Sequence, residues 1–138
     1  MRYPRHTRRE AGALSIWVVL TTATAFLAIL GLVADGGRIL NTRAALDRAA
    51  SQAARAGADQ LSSAGIRDGN NDVSASQAIT AATNYLTAAG IQGTVTVTGQ
   101  KVTVTVHRAV QPQILGTFGM PTINVTETES AQGIQGGP

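Results

Sequence analysis

The longest apolar segment of the chain is residues 11–34, a run of 24 residues without a charge. As a helix this run would be about 36 Å long, enough to cross a hydrocarbon core of roughly 30 Å. A cleaved secretory signal needs a shorter apolar region, of about 7 to 15 residues, followed by a site with small residues. The pattern therefore predicts a transmembrane helix over residues 11–34 that is retained in the protein.

Helical spacing of small and apolar residues continues beyond this anchor, over residues 39–61. The anchor is therefore predicted to continue into a long helix with a narrow face of small side chains. That face is either a packing surface for a partner helix or the packing face of the outer domain itself, and the residues alone leave both open. Its members are Ala49, Ala50, Ala53 and Gly57.

A similar face lies within the anchor, where small residues share one side of the helix. Such spacing allows helices to approach closely in lipid. We predict that this face contributes to a helix-packing interface. Its members are Thr21, Thr24, Ala25 and Ala28.

The anchor and the outer helix meet at Asp35, Gly36, Gly37 and Arg38, a motif at the predicted membrane boundary. Glycine is unfavourable in a helix interior, so a bend, a hinge or a close contact is expected at this position. Asp35 and Arg38 are spaced to pair with each other on one helix face.

Residues 62–73 have the composition of a loop, and a second, amphipathic helix is predicted after them. Ser74 and Gln77 have the spacing of a capping box, which places the start of the helix at Ser74. Gly90 is a favoured residue just past a helix end, which places the end there.

Strict alternation of valine and threonine in residues 94–98 and 102–106, around Gly99 and Gln100, predicts a β-hairpin. Glycine in the first turn position suits a type II′ turn, which would pair Val97 with Val102. In that register every valine opposes a valine, and all of them lie on one face, under one of the helices.

A third strand is predicted at residues 122–127, protected at its edge by Glu127 and Glu129. The link before it, residues 109–121, either closes the end of the core or touches the membrane surface, and core closure is favoured. The apolar side chains of the link are Ile114, Leu115, Phe118 and Met120.

The expected fold class is α+β: a single N-terminal transmembrane helix continuing into a long helix, a second amphipathic helix and a three-stranded antiparallel sheet. The expected segments are a basic arm (1–10), the anchor (11–34), an extracytoplasmic α+β domain (35–129) and a flexible tail (130–138). The topology follows from the basic arm, because positive flanks stay on the cytoplasmic side. Its arginines are Arg2, Arg5, Arg8 and Arg9.

Charge and composition exclude several function classes. Residues 35–138 carry seven basic and seven acidic groups, so the outer domain has no basic surface for nucleic acid. There is no cysteine, and the two histidines, His6 and His107, have no partners spaced for catalysis. Asp68, Asn70 and Asp72 lack the later glutamate of a calcium loop. We predict no enzyme activity, no cofactor and no metal.

Four sequence features in fixed order resemble the N-terminal module of TadE- and TadG-like pilus assembly proteins. Gly12 opens the apolar span, residues 33–38 read VADGGR, residues 43–46 read RAAL and residues 53–58 read AARAGA. The resemblance, over about residues 9–60, implies one anchor helix bearing a small extracytoplasmic domain in a bacterial membrane. It also implies a non-enzymatic role in building Flp-type (tight adherence) pili, in homo- or hetero-oligomers with other Tad/Flp pilus or secretion-machinery proteins.

Two positions depart from the family pattern. Members that are processed like prepilins carry Glu five residues after the cleaved glycine, but after Gly12 that position is Trp17. Cleavage between Gly12 and Ala13 is therefore not favoured. Ser51 stands where an acidic residue is common, which leaves the TadE-like and TadG-like subgroups both open.

Two alternatives belong to other classes: a membrane-anchored extracytoplasmic binding module, and an accessory subunit of a membrane enzyme complex. A binding module concentrates aromatic and arginine residues in one patch, but the outer domain has only Tyr85 and Phe118 as aromatic residues. The sequence therefore favours assembly through helix packing, with pilin or platform proteins as partners.

Overall fold

The computed structural model describes residues 8–65 and 71–133, with side chains described over residues 14–62 and 74–133. Helix α1, Arg8–Gly65, has 58 residues and runs without interruption through the anchor, the two boundary glycines and the outer helix. It is long and apolar enough to cross a membrane, and all its side chains from Leu14 to Leu30 are exposed. The predicted continuation of the anchor into the outer helix is confirmed.

The second helix, α2, is Asn71–Ala88. It begins three residues before the predicted start, so Ser74 lies inside the helix and is buried there. Its end is as predicted: Gly90 has a left-handed φ of 64°. The N–H of Gly90 donates to the Thr87 carbonyl, and the N–H of Ile91 donates to the Leu86 carbonyl. This pair of bonds is a Schellman motif, which requires a left-handed residue best supplied by glycine.

Three antiparallel strands form the sheet in the order β1-β2-β3: β1 is Gln92–Thr98, β2 is Lys101–Val110 and β3 is Ile123–Gln132. The predicted hairpin register is confirmed from Thr98↔Lys101 to Thr94↔Thr105. Gly99 has a φ of 58°, whereas Gln100 does not have a positive φ. That combination excludes a type I′ turn and agrees with the type II′ turn.

The third strand is longer than predicted. It reaches Gln132, opposite Lys101, and the N–H of Gly133 donates to the Gln100 carbonyl at 2.9 Å. Ser130, Ala131 and Gln132 therefore belong to the sheet and not to a flexible tail. Residues 134–138 lie outside the described part of the chain.

The core lies between the helices and one face of the sheet, where α1 covers β2 and β3 and α2 covers β1. The valines of β2 are fully buried and those of β1 pack against them, so the predicted valine face is confirmed. The buried core comprises Leu46, Ala50, Ala53, Ala54, Ala58, Leu61, Ala78, Ala82, Leu86, Val102, Val104, Val106, Val110 and Val125. The α+β fold class is therefore confirmed.

Candidate functional site at the membrane boundary

Asp35 joins α1 to the link between β2 and β3. The sequence predicts this link at residues 109–121, and in the structure it spans residues 111–122. The N–H of Gln113 donates to one carboxylate oxygen at 2.9 Å. The N–H groups of Ile114 and Leu115 donate to the other oxygen at 2.9 and 2.8 Å. Leu115 begins a short 3₁₀ helix, Leu115–Phe118. The carboxylate therefore satisfies N–H groups that open this turn and would otherwise have no helical partner.

These hydrogen bonds favour the charged form of Asp35. The N–H of Leu115 is the largest influence that lowers the pKa of this carboxyl below 3.8, with the N–H groups of Gln113 and Ile114 and the positive charge of Arg38 acting in the same direction. Burial acts in the opposite direction, because it disfavours the charged form. Asp35 is 2% exposed and remains a carboxylate at neutral pH.

One turn before Asp35, a glycine lets the link approach the helix. A Cβ added to Gly31 would lie 2.9 Å from Cγ2 of Ile114 and 3.1 Å from Cδ2 of Leu115. Because real Cβ atoms essentially never approach another heavy atom to within 3.0 Å, a larger residue at position 31 would push the link outward. Gly31 and Asp35 thus form a docking point for the link on one face of α1.

The apolar side chains of the link divide into two groups. Ile114 and Leu115 are partly buried against α1, whereas Phe118 is 66% and Met120 44% exposed. The expectation that the link closes the core is therefore wrong for Phe118 and Met120.

The other residues of the boundary motif differ from expectation. The hydrogen bonds to the Asp35 carboxylate come from the backbone of the link, and Arg38 contributes through its positive charge. A Cβ added to Gly36 or Gly37 would meet no atom of the described residues within 4 Å, so neither glycine is needed for a close contact with that part of the chain. Of the four residues, Asp35 is the one with a clear structural role.

The small-residue face of the outer helix is the core of the domain. Ala50 and Ala53 are 0% exposed, Ala49 is 8% exposed, and Gly57 is buried. A Cβ on Gly57 would lie 3.0 Å from the carbonyl oxygen of Ala78 in α2 and 3.0 Å from Val102. Of the two alternatives that the sequence leaves open for these four residues, the structure shows the packing face of the outer domain itself, because they are buried within it.

The face within the anchor has a different environment. Thr21, Thr24, Ala25 and Ala28 are all exposed. The Thr21 hydroxyl donates to the Trp17 carbonyl at 2.8 Å, and the Thr24 hydroxyl donates to the Leu20 carbonyl at 2.8 Å. Since each hydroxyl has an acceptor in its own helix, this face is compatible with lipid as well as with a second helix.

Sequence reasoning also missed an ion pair between α1 and the sheet. Arg43 Nε lies 2.8 Å from a carboxylate oxygen of Glu127. Glu127 opposes Val106 and so points to the helix side of the edge strand β3. An inward-pointing charge hinders pairing with another strand, which agrees with the predicted protection of this edge.

Catalytic groups do not converge in the described part of the chain. A shallow cleft of about 860 Å³ lies beside the link and is lined by Arg38, Thr42, Arg108, Gln113 and neighbouring backbone. His107 lies exposed on β2, outside this cleft lining. No group of three or more His, Asp or Glu residues that could hold a metal is found among the described residues.

Several predicted residues cannot be placed in full. Arg2, Arg5 and His6 lie outside the described residues, as do Asp68 and Asn70 of the calcium alternative. Four others lie in the first turns of α1, where side chains are outside the described set: Arg8, Arg9, Gly12 and Ala13.

Comparison with known proteins agrees with this architecture. The family model described as putative Flp pilus-assembly TadE/G-like matches residues 12–60. This segment begins in the anchor and ends in the buried part of α1, and it contains both Gly31 and Asp35. No curated protein and no solved structure matches the chain. Residues 12–60, about a third of the sequence, are thus similar to the TadE/G-like family of putative Flp pilus-assembly proteins.

Proposed function

We propose that this protein is a membrane-anchored, non-enzymatic component of the Flp/Tad-type pilus assembly or secretion machinery. The observation that carries the proposal is the family match over residues 12–60, which covers the single helix shared by the anchor and the outer domain. The N-terminus lies in the cytoplasm and the α+β domain outside it. This orientation is supported by the four arginines before the apolar run and the positive-inside rule.

The partner-binding surface is the exposed small-residue face of the anchor, Thr21, Thr24, Ala25 and Ala28. Two facts support this assignment. The corresponding face of the outer helix is already buried, and nothing in the described chain covers the anchor from Leu14 to Leu30. Small residues at this spacing let a second transmembrane helix approach closely. The partners are helices of pilin or platform proteins.

Ala28→Leu is expected to weaken this association. The larger side chain holds a partner helix away from the small face, at a cost of about 1–2 kcal/mol or a roughly 5- to 30-fold loss of affinity. The measurement is co-purification of native membrane partners with the full-length protein, together with its thermal stability. Because Ala28 is exposed, the stability of the protein itself should not change.

Ala23→Leu is the matched control, since Ala23 lies on the opposite side of the helix and is also exposed. It makes the same change in volume and hydrophobicity, so recovery of partners should equal that of the unchanged protein. Equal recovery with Ala28→Leu and with Ala23→Leu would disprove the assigned face.

The protein is further expected to remain uncleaved at Gly12. Trp17 occupies the position where processed members carry Glu, so a prepilin-type peptidase should not accept the site. The N-terminal mass of the protein purified from its native membrane tests this. Recovery of residues 1–12 in the mature chain indicates a permanent anchor at the assembly platform, whereas a start at Ala13 would make the protein a processed fibre subunit.

A further inference from the structure

The docked link lies at the height where the anchor leaves the hydrocarbon. About 20 residues cross a bilayer core, so a span that starts at Ala11 ends at Leu30, four residues before the end of the apolar run at Ala34. The next residue, Gly31, is the one in contact with Ile114 and Leu115. The start of the 3₁₀ turn is therefore placed beside the outer edge of the hydrocarbon.

At this height the link exposes apolar side chains. Phe118 follows Leu115 by three residues and is 66% exposed, and Met120 is 44% exposed. On α1, Leu32 and Val33 are 65% and 68% exposed near the same level. The apolar surface of the link thus lies at about the level of the lipid-facing surface of the anchor.

Positive charge lies on the side of the link away from the anchor. Arg38 is seven residues beyond Gly31, or about 10 Å along the helix, and it lines the cleft beside the link together with Arg108. In the direction from the anchor toward the outer domain, the apolar side chains of the link therefore precede the two arginines. Phospholipids present acyl chains and phosphates in the same order.

We propose that the link is a membrane-seating element, in which Phe118 and Met120 insert into the outer leaflet of the phospholipid bilayer. This inference rests on the membrane anchor of the proposed function. Asp35 and Gly31 hold the element against α1, and the inserted side chains hold the domain at a set height above the membrane. Aromatic residues favour this interfacial region, and burial of exposed apolar surface drives the insertion.

The test uses the full-length protein in phospholipid vesicles, with an indole as a depth probe. Trp17 is the only tryptophan, so Trp17→Phe gives a background without tryptophan. In this background Phe118→Trp, and separately Met120→Trp, introduce a probe into the link. Lipids carrying bromine on the acyl chain near the headgroup quench an indole that lies among them.

Ile79→Trp is the control for the probe. Ile79 is 40% exposed and follows Ala78, whose carbonyl faces Gly57. It therefore lies about 39 Å along α1 from Gly31, far above the membrane. Its indole should emit as in water and be insensitive to brominated lipid.

The expected result is a blue-shifted emission at positions 118 and 120, most of which is lost in the brominated vesicles. Suppose that the indoles at positions 118 and 120 are as insensitive to brominated lipid as the indole at position 79, while Trp17 of the unchanged protein is quenched. The membrane anchor is then supported, and the seating element is disproved. If Trp17 is not quenched either, the anchor itself fails, and the inference fails with it. Two independent probe positions guard against one substitution that perturbs the link.

Discussion

Asp35→Asn is expected to release the link from α1. The carboxylate accepts hydrogen bonds on both oxygens, whereas asparagine offers one oxygen and turns an NH₂ group toward a backbone N–H. At least one partly buried N–H then loses its acceptor, which is an unfavourable change. Hydrogen exchange of the amides of residues 113–115 should accelerate sharply, the link should become sensitive to protease, and the thermal midpoint should fall.

The matched control is Asp47→Asn, which removes the same charge from an exposed position of the same helix. Surface substitutions of this kind change stability by only about 0.5 kcal/mol or less. Amide exchange in residues 113–115 should therefore match that of the unchanged protein. If Asp35→Asn leaves the exchange of these amides as slow as Asp47→Asn does, the docking role of the carboxylate is wrong.

The same carboxylate makes a contribution to stability that depends on pH. Its pKa is held below 3.8 in the folded protein, chiefly by the N–H of Leu115, so the folded state favours the charged form. The contribution is complete above pH 3.8 and is lost as the pH falls through the lower folded pKa. The difference in thermal midpoint between the unchanged protein and Asp35→Asn should therefore shrink under strongly acidic conditions.

Two opposite changes of volume in the buried core should both destabilise the outer domain. Leu46 is 0% exposed, and Leu46→Ala leaves a cavity at a cost of about 2–5 kcal/mol. Ala53 is 0% exposed, and Ala53→Leu overpacks the core at a cost of about 1–3 kcal/mol. For a domain of this size each kcal/mol lowers the melting temperature by about 4–8 °C. Thermal unfolding of the two variants in detergent measures both decreases in melting temperature.

Exposed positions of α1 supply the controls for this pair. Leu40 is 65% exposed, so Leu40→Ala should have little effect on melting. Ala44 is also exposed, so Ala44→Leu should be tolerated. A protein that melts normally with Ala53→Leu but loses its partners would show that the small-residue face of the outer helix binds a partner helix, contrary to the structure.

The parts of the fold that sequence predicts well depend on local rules. Alternation of valine and threonine gives the strands of the hairpin, and a glycine that can adopt a positive φ at position 99 gives the turn, so the register follows from residues close together in the chain. The end of α2 at Gly90 is local in the same way. Each needs information from only a few consecutive residues.

The docking point could not be predicted because its partners are distant in sequence. The N–H groups that bind Asp35 belong to residues 78, 79 and 80 positions further along the chain, whereas Arg38, the partner expected from sequence, is the nearest opposite charge. The burial of Ala53 is a similar case, because spacing shows that a helix face is small but not what covers it. Tertiary packing determines both the partners of Asp35 and the elements that bury Ala53.

The continuity of α1 has a mechanical consequence for any assembly that contains this protein. With no break at Gly36 and Gly37, one continuous helix joins the anchor to the outer domain and would act as a lever. The stretch from Gly31 to Gly65 is about 51 Å long. A straight helix tilted by about 20°, the average for such anchors, carries its outer end sideways by about 17 Å. If a neighbouring protein rotates or tilts the anchor, the sheet at the outer end of the helix is therefore displaced further than the anchor itself.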